Sequence, residues 1–155
     1  MSKFLKALPD EPSLRVDALR LWVLGREFPD SHDSWDGNWL RIVAVCAGTG
    51  SRVEVSGPVL DTVSFASFLK QVQAMEFSLS GSAELSSVEP ELNLTLKYAD
   101  SLGHIKGDLA ITGDQLRERH SFTLSLDQTH LLEIVKQLQA IMLEFPVRGA
   151  RARDA

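Results

Sequence analysis

Four side chains that could bind a divalent cation occur within one short polar segment: Asp30, His32, Asp33 and Asp36. Hard cations favour carboxylates gathered on a loop, and a bound metal ion could activate water for hydrolysis. The spacing departs from the calcium-loop pattern, because no glutamate stands at its twelfth position. The alternative is a solvated acidic loop whose aspartates cap turns. We favour this second interpretation and expect neither a bound metal nor another cofactor.

The sequence contains no complete nucleophilic or zinc site. Cys46 is the single cysteine, and it lies in an apolar run. His32, His104, His120 and His130 are scattered, without an HExxH motif or a cysteine pair. No serine occupies the centre of a Gly-x-Ser-x-Gly elbow. The sequence therefore predicts a binding protein and not an enzyme.

Two tryptophans flank the end of the acidic segment. Trp39 is in phase with the strand that follows, so we expect it in the core. Trp35 could either fill the core or anchor a partner at the surface. If this segment binds a partner, the contact residues are Asp30, Asp33, Trp35 and Asp36.

Hydrophobic periodicity predicts the elements that position this segment. One strand with a phase slip covers residues 14–24, and an apolar central strand covers residues 38–47. A third strand ends at Gly57, and a helix follows with Asp61 as its N-cap. Four more strands follow, at residues 83–88, 92–98, 104–112 and 120–126. A closing helix lies between Asp127 and Pro146. The predicted fold is α+β, a largely antiparallel sheet of about seven strands with two helices on one face, and no internal repeat is expected.

Length and composition limit the function. A chain of 155 residues suits one domain, predicted over residues 13–147 with a flexible N-terminal segment (1–12) and a disordered C-terminal tail (148–155). One cysteine, no signal-peptide pattern and no long apolar run predict a cytoplasmic protein without membrane contact. The net charge of -5 disfavours direct binding to nucleic acid and favours a basic protein partner.

Four sequence blocks together resemble a known family. They are EFPDS at residues 27–31, WDGNWL at 35–40, DQT at 127–129 and FPVRG at 145–149. In this combination and order the chain resembles the WapI-like family of bacterial immunity proteins. The resemblance extends from about residue 19 to residue 149, and the middle of the chain matches only in its strand-rich character.

The resemblance implies a cytoplasmic protein that neutralises a toxin by binding its effector domain, without turnover. Complementary charge would speed association with a basic toxin domain. Because a motif that defines a family cannot also select each member's toxin, residues 35–40 could be scaffold, with Asp36 and Asn38 closing a turn. The alternative functions are a stand-alone adaptor for another protein and, with less support, a metal-dependent hydrolase.

Overall fold

The structure is a computed structural model that describes residues 8–149. The first half of this range contains β1 (Leu14–Val16), β2 (Leu19–Arg26), β3 (Trp39–Ala47), β4 (Arg52–Asp61) and helix α1 (Thr62–Ser78). The second half contains β5 (Ser82–Ser86), β6 (Leu92–Tyr98), β7 (His104–Ile111), β8 (Ser121–Asp127) and helix α2 (Leu131–Glu144).

The strands form two antiparallel four-stranded sheets, β1-β2-β3-β4 and β5-β6-β7-β8. The predicted α+β class is confirmed, as is the central position of β3. Residues 8–149 contain eight strands, one more than the predicted number of about seven, because the predicted strand at residues 14–24 is divided into β1 and β2. The chain turns at Asp17, whose φ is 50°, and Val16 then pairs with Leu19. This two-residue turn accounts for the phase slip in the sequence.

The strand β4 continues beyond its predicted end at Gly57. Gly57 has a φ of 123°, which favours glycine, and the pairing between β3 and β4 shifts at this point. The irregularity lets the strand pass Pro58 and continue to Asp61. Asp61 then caps α1, accepting a hydrogen bond from the Ser64 backbone N–H at 2.7 Å, as predicted.

The two halves repeat one arrangement, which contradicts the expectation of no internal repeat. Each half has four strands paired in chain order and then one helix. A Leu-Asp pair precedes each helix, at Asp61 and Asp127, and each helix contains a Lys-Gln-x-Gln-Ala segment, at residues 70–74 and 136–140. Pair and segment are equally spaced in both copies. The repeat is hard to detect in the strands, which share alternation but few distinctive residues.

Each helix contacts the first strand of the other half. The Gln71 side-chain oxygen on α1 accepts a hydrogen bond from the Glu84 backbone N–H in β5, at 2.9 Å. The Gln137 oxygen on α2 accepts one from the Arg15 backbone N–H in β1, also at 2.9 Å. These glutamines are counterparts in the repeat, and each satisfies a donor on an edge strand.

One hydrophobic core joins both sheets and both helices. It includes Phe65 and Phe68 from α1, Leu138 from α2, and Cys46 from β3, all fully buried. The prediction that Cys46 is a buried apolar residue is confirmed. None of the helices between residues 8 and 149 has the length and hydropathy that a membrane span requires.

The predicted flexible ends lie only partly within the described residues, and their boundaries stay predictions. Residues 1–7 and 150–155 lie outside the described range. At the N-terminal side, Leu8 packs against a cluster containing Trp22, whose indole N–H donates to the Pro9 carbonyl at 2.9 Å. At the C-terminal side, the Arg148 backbone N–H donates to Asn38 at 2.8 Å.

Candidate functional site

The loop between β2 and β3, residues 27–38, contains the predicted site and is organised by Asp33. The Asp33 carboxylate accepts hydrogen bonds from the backbone N–H groups of Trp35 at 2.8 Å, Asp36 at 2.6 Å and Gly37 at 3.4 Å. These bonds, with the Trp35 bond the strongest contribution, hold the pKa of Asp33 below its usual value. Asp33 therefore acts as the cap of the short 3-10 turn at residues 36–38. Asp36 and Asn38 were expected to close the turn. Asn38 does so through its bond to the Ser34 carbonyl, whereas Asp36 is exposed.

Asn38, at the end of this turn, connects three parts of the chain. Its side-chain N–H group donates to the carbonyls of Ser34 at 2.9 Å and Arg148 at 3.0 Å. Its side-chain oxygen accepts from the Thr62 hydroxyl at 2.9 Å and from the Arg148 backbone N–H at 2.8 Å. Because Asn38 is fully buried, these bonds are needed to offset its desolvation.

Two arginines hold the loop through hydrogen bonds to its backbone carbonyls. The buried Arg26 guanidinium donates to the carbonyls of Gly37 and Pro146, so it links the turn to the segment after α2. The Arg148 guanidinium donates to the carbonyl of Pro29 at 2.7 Å and to that of Ser31 at 3.0 Å. Backbone carbonyls on both sides of the loop are thereby held in place.

Two glycines allow the chain segments to approach closely. A Cβ on Gly37 would lie 2.7 Å from the Ser31 carbonyl oxygen. A Cβ on Gly149 would lie 2.4 Å from the Ser34 backbone nitrogen, and Gly149 also has a φ of 82°. Three of the four sequence blocks, at residues 27–31, 35–40 and 145–149, therefore meet in one joint with the start of α1. The fourth block lies just before α2, where Asp127 caps the short 3-10 helix at residues 128–130 and its carboxylate accepts from the Thr129 backbone N–H at 2.8 Å.

The outer surface of the loop carries the side chains that this joint leaves exposed. Trp35 is 53% exposed and packs edge-to-face on Trp39, with ring centroids 6.2 Å apart and planes at 88°. Trp39 was expected in the core, but it is half-buried. It stands at the start of β3, where one side of its ring is left open. Asp30 and Asp36 are exposed on the same loop.

The candidate metal ligands of this loop are not brought together as a group of three. Within residues 8–149, no three His, Cys, Asp or Glu side chains lie close enough to share a cation. The carboxylate of Asp33 is already engaged by three backbone N–H groups. The metal-dependent hydrolase hypothesis thus has no supporting geometry in this segment.

A groove of about 380 Å³ runs beside Trp35, between α1 and β5. Its walls include Ser67 and Gln71 on α1, Glu84 on β5 and Val88 in the following turn. The Glu84 carboxylate is oriented by the Ser86 hydroxyl at 2.7 Å and the Asn93 side-chain N–H at 3.1 Å. Sequence reasoning missed Glu84 and Val88, because nothing in the sequence indicates that they lie beside Trp35.

A family model described as the immunity protein WapI-like family matches residues 13–146. Searches of curated proteins and of solved structures gave no significant match.

Proposed function

Since this chain belongs to the WapI-like immunity protein family, we propose that it neutralises a cognate bacterial toxin by binding the toxin's effector domain in the cytoplasm. Neutralisation by binding requires surface complementarity and no turnover, so no catalytic residue is assigned. Trp35 supports this function most directly, because it is an exposed aromatic ring on a loop whose backbone is fixed by Asp33, Asn38 and Arg148.

A rigid loop favours tight binding. Ordering a mobile loop costs free energy at the moment of association, so a loop that is already ordered retains more of its contact energy. Tryptophan is among the residues most often found at the energetic centre of protein interfaces. Trp35 meets both conditions and is the proposed central contact.

The acidic residues of the loop define the proposed partner surface. Asp30 and Asp36 are exposed beside Trp35, and the whole chain carries a net charge of -5. Opposite charge raises association rates, so a basic toxin domain is the proposed partner. Asp33 contributes by holding the loop, with its carboxylate directed at the turn backbone.

Co-expression tests the function. The product of the adjacent upstream gene is expressed in bacteria with and without this protein, and its toxicity is measured first. We expect growth arrest without it and growth with it. A toxic product against which the protein gives no protection would exclude the immunity function for this pair, and recovery of an unrelated partner would instead favour an adaptor.

Charge-matched variants test the contact loop. Asp36→Asn should slow association with the toxin domain, and the loss should shrink at high salt, because screening removes the steering field. Glu133→Gln is the control, since Glu133 is an exposed carboxylate on α2. Equal association rates for the two variants would contradict a contact at Asp36.

A further inference from the structure

We propose that the toxin-binding face extends from Trp35 to Leu116 across one end of the molecule, and that it binds a basic segment of the toxin domain together with an apolar side chain. This end, called the loop end, consists of the loop at residues 27–38, the turn at residues 87–91 and the loop at residues 112–120. The inference rests on the proposed immunity function and adds the remainder of the surface and the chemistry of its partner.

The internal repeat distinguishes the loop end from the scaffold. The β2–β3 loop spans residues 27–38, whereas its counterpart between β6 and β7 spans only residues 99–103. In the second half the β7–β8 loop is the long one, spanning residues 112–120, whereas its counterpart spans residues 48–51. Strands and helices are repeated, but these two long loops are not. Connecting loops on a fixed scaffold are where binding surfaces commonly arise.

The two long loops meet at the turn between β5 and β6. Trp35 and Val88 line the groove of about 380 Å³, on one side of this turn. Pro90 and Leu116 line a second depression of about 640 Å³, on its other side. Val88 and Pro90 are two residues apart, so the groove and the depression adjoin.

Three exposed large apolar side chains line the groove and the depression. Trp35 is 53% exposed, Val88 is 58% exposed and Leu116 is 97% exposed. Single exposed apolar residues are common on any protein surface. Three of them beside two adjoining concavities are typical of an interface.

The turn and the second long loop are held in place before any partner binds. The Ser87 hydroxyl accepts from the Leu92 backbone N–H at 3.1 Å and also donates to the Glu89 carbonyl. The Thr112 backbone N–H donates to the Glu91 carbonyl at 2.9 Å, which ties the second loop to the turn. The loop end is therefore preformed, and binding needs little ordering.

Charge identifies the partner of the groove. The groove lining contains the carboxylates of Asp61 and Glu84 and no lysine or arginine. Hydrogen bonds from Ser86 and Asn93 hold the pKa of Glu84 below its usual value, so it stays charged. A lysine or arginine of the partner could lie between Glu84 and the face of Trp35, gaining both an ion pair and a cation–π contact.

The turn adds to this preference for a cation. Burial is the main cause that raises the pKa of Glu91, and repulsion from the nearby Glu89 is the smaller second cause. A cationic partner would relieve this repulsion. On the other side of the turn, Pro90, Ala110 and Leu116 supply apolar lining to the depression. Glu118 and Arg119 line it with one charge of each sign, so it is assigned the apolar side chain.

Binding measurements on the full chain test the proposal. The probe is the adjacent upstream gene product that co-expression has shown to be toxic and neutralised, in a variant without toxicity. It is titrated against wild type and the variants Trp35→Ala, Val88→Ser, Leu116→Ser and Glu84→Gln. We expect Trp35→Ala to weaken binding about 30-fold or more and the other three at least about fivefold. Each altered side chain is largely exposed, so thermal unfolding should change little.

Leu102→Ser is the matched control, because Leu102 is 78% exposed in the β6–β7 turn at the opposite end of the same sheet. We expect wild-type affinity for this variant. If the wild-type protein does not bind the probe, the proposed immunity function is itself contradicted. Wild-type protein that binds, with Val88→Ser and Leu116→Ser within about twofold of it, would overturn the extended face and leave the immunity function intact. Equal loss in Leu102→Ser would also overturn it.

Discussion

Asn38 shows how a single buried amide can join three segments. Its side chain makes four hydrogen bonds within the protein, to Ser34, Thr62 and Arg148. A buried polar group without a partner costs much more than a satisfied one contributes. The backbone groups of Ser34 and Arg148 and the hydroxyl of Thr62 therefore need Asn38 as a hydrogen-bond partner, just as Asn38 needs them.

Replacing Asn38 with alanine tests this dependence. Asn38→Ala leaves one N–H, one hydroxyl and two carbonyls without their partner, so we expect the free energy of unfolding to fall by about 2–4 kcal/mol. Urea denaturation measures the change. The control is Asn93→Ala, which removes a partly exposed amide bonded to Glu84 and Ser86 and should cost less than about 1 kcal/mol. Similar costs for both variants would contradict the role of Asn38 as a junction.

The capping role of Asp33 predicts a pH dependence. Its pKa is lowered in the folded protein, so the ionised carboxylate contributes stability that is present above the unfolded pKa and is lost as the pH falls through the folded pKa. Asp33→Asn should therefore lower the melting temperature at about pH 7, and the difference from wild type should shrink below about pH 3. Asp30→Asn controls for the loss of one charge. A difference that stays constant between these two pH values would exclude the cap.

At this scale the sequence indicated the right loop but not the role of each residue in it. The density of aspartates and tryptophans marked residues 30–39 as unusual. Which aspartate caps the turn depends on backbone directions. These are fixed by bonds from Asn38 and Arg26 to residues 146–148 and from Arg148 back to the loop. Pairing over such separations leaves no local pattern in one sequence.

Among the elements, the repeated glutamines predict a paired effect. Gln71→Ala and Gln137→Ala each remove the acceptor for one N–H group on an edge strand, so each should lower the free energy of unfolding by about 0.5–1.5 kcal/mol. The two sites lie on different helices, so the double variant should show the sum within about 0.5 kcal/mol. Chemical denaturation measures all three.

Each helix provides its own control. Gln73→Ala and Gln139→Ala change exposed glutamines two positions later on the same helices, and should alter stability by less than about 0.5 kcal/mol. They match the test variants in residue type and helix propensity. Equal effects at all four positions would mean that the contacts with β1 and β5 contribute nothing.

Element types were more predictable from the sequence than element ends. Strand β6 alternates apolar and polar residues without interruption, and the structure places it at residues 92–98 as predicted. The break between β1 and β2 was missed because Asp17 and Ala18 form a turn without glycine or asparagine. Gly57 and Pro58 were interpreted as a stop, whereas pairing with β3 carries the strand through them. In both cases tertiary pairing overrides the local signal.

For the whole molecule, Cys46 can report opening of the core. It is fully buried in β3, and burial, with a smaller effect from Asp17, raises its pKa to about 11. Because only the thiolate reacts readily, a thiol reagent at about pH 8 should label the folded protein very slowly and the urea-unfolded protein quickly. Thr49→Cys, in the exposed β3–β4 turn, provides a thiol that reacts in the folded state. Rapid labelling of native Cys46 would contradict a closed core.

The bond between Gln137 and Arg15 has a consequence for biosynthesis. These residues are 122 positions apart in sequence, and a ribosome releases the strand β1 long before it releases α2. Until then the N-terminal sheet has no α2 against its first strand, and its edge is exposed to other nascent chains. Final closure must wait for the last helix, so truncation before α2 should give aggregation-prone fragments and not a smaller folded protein.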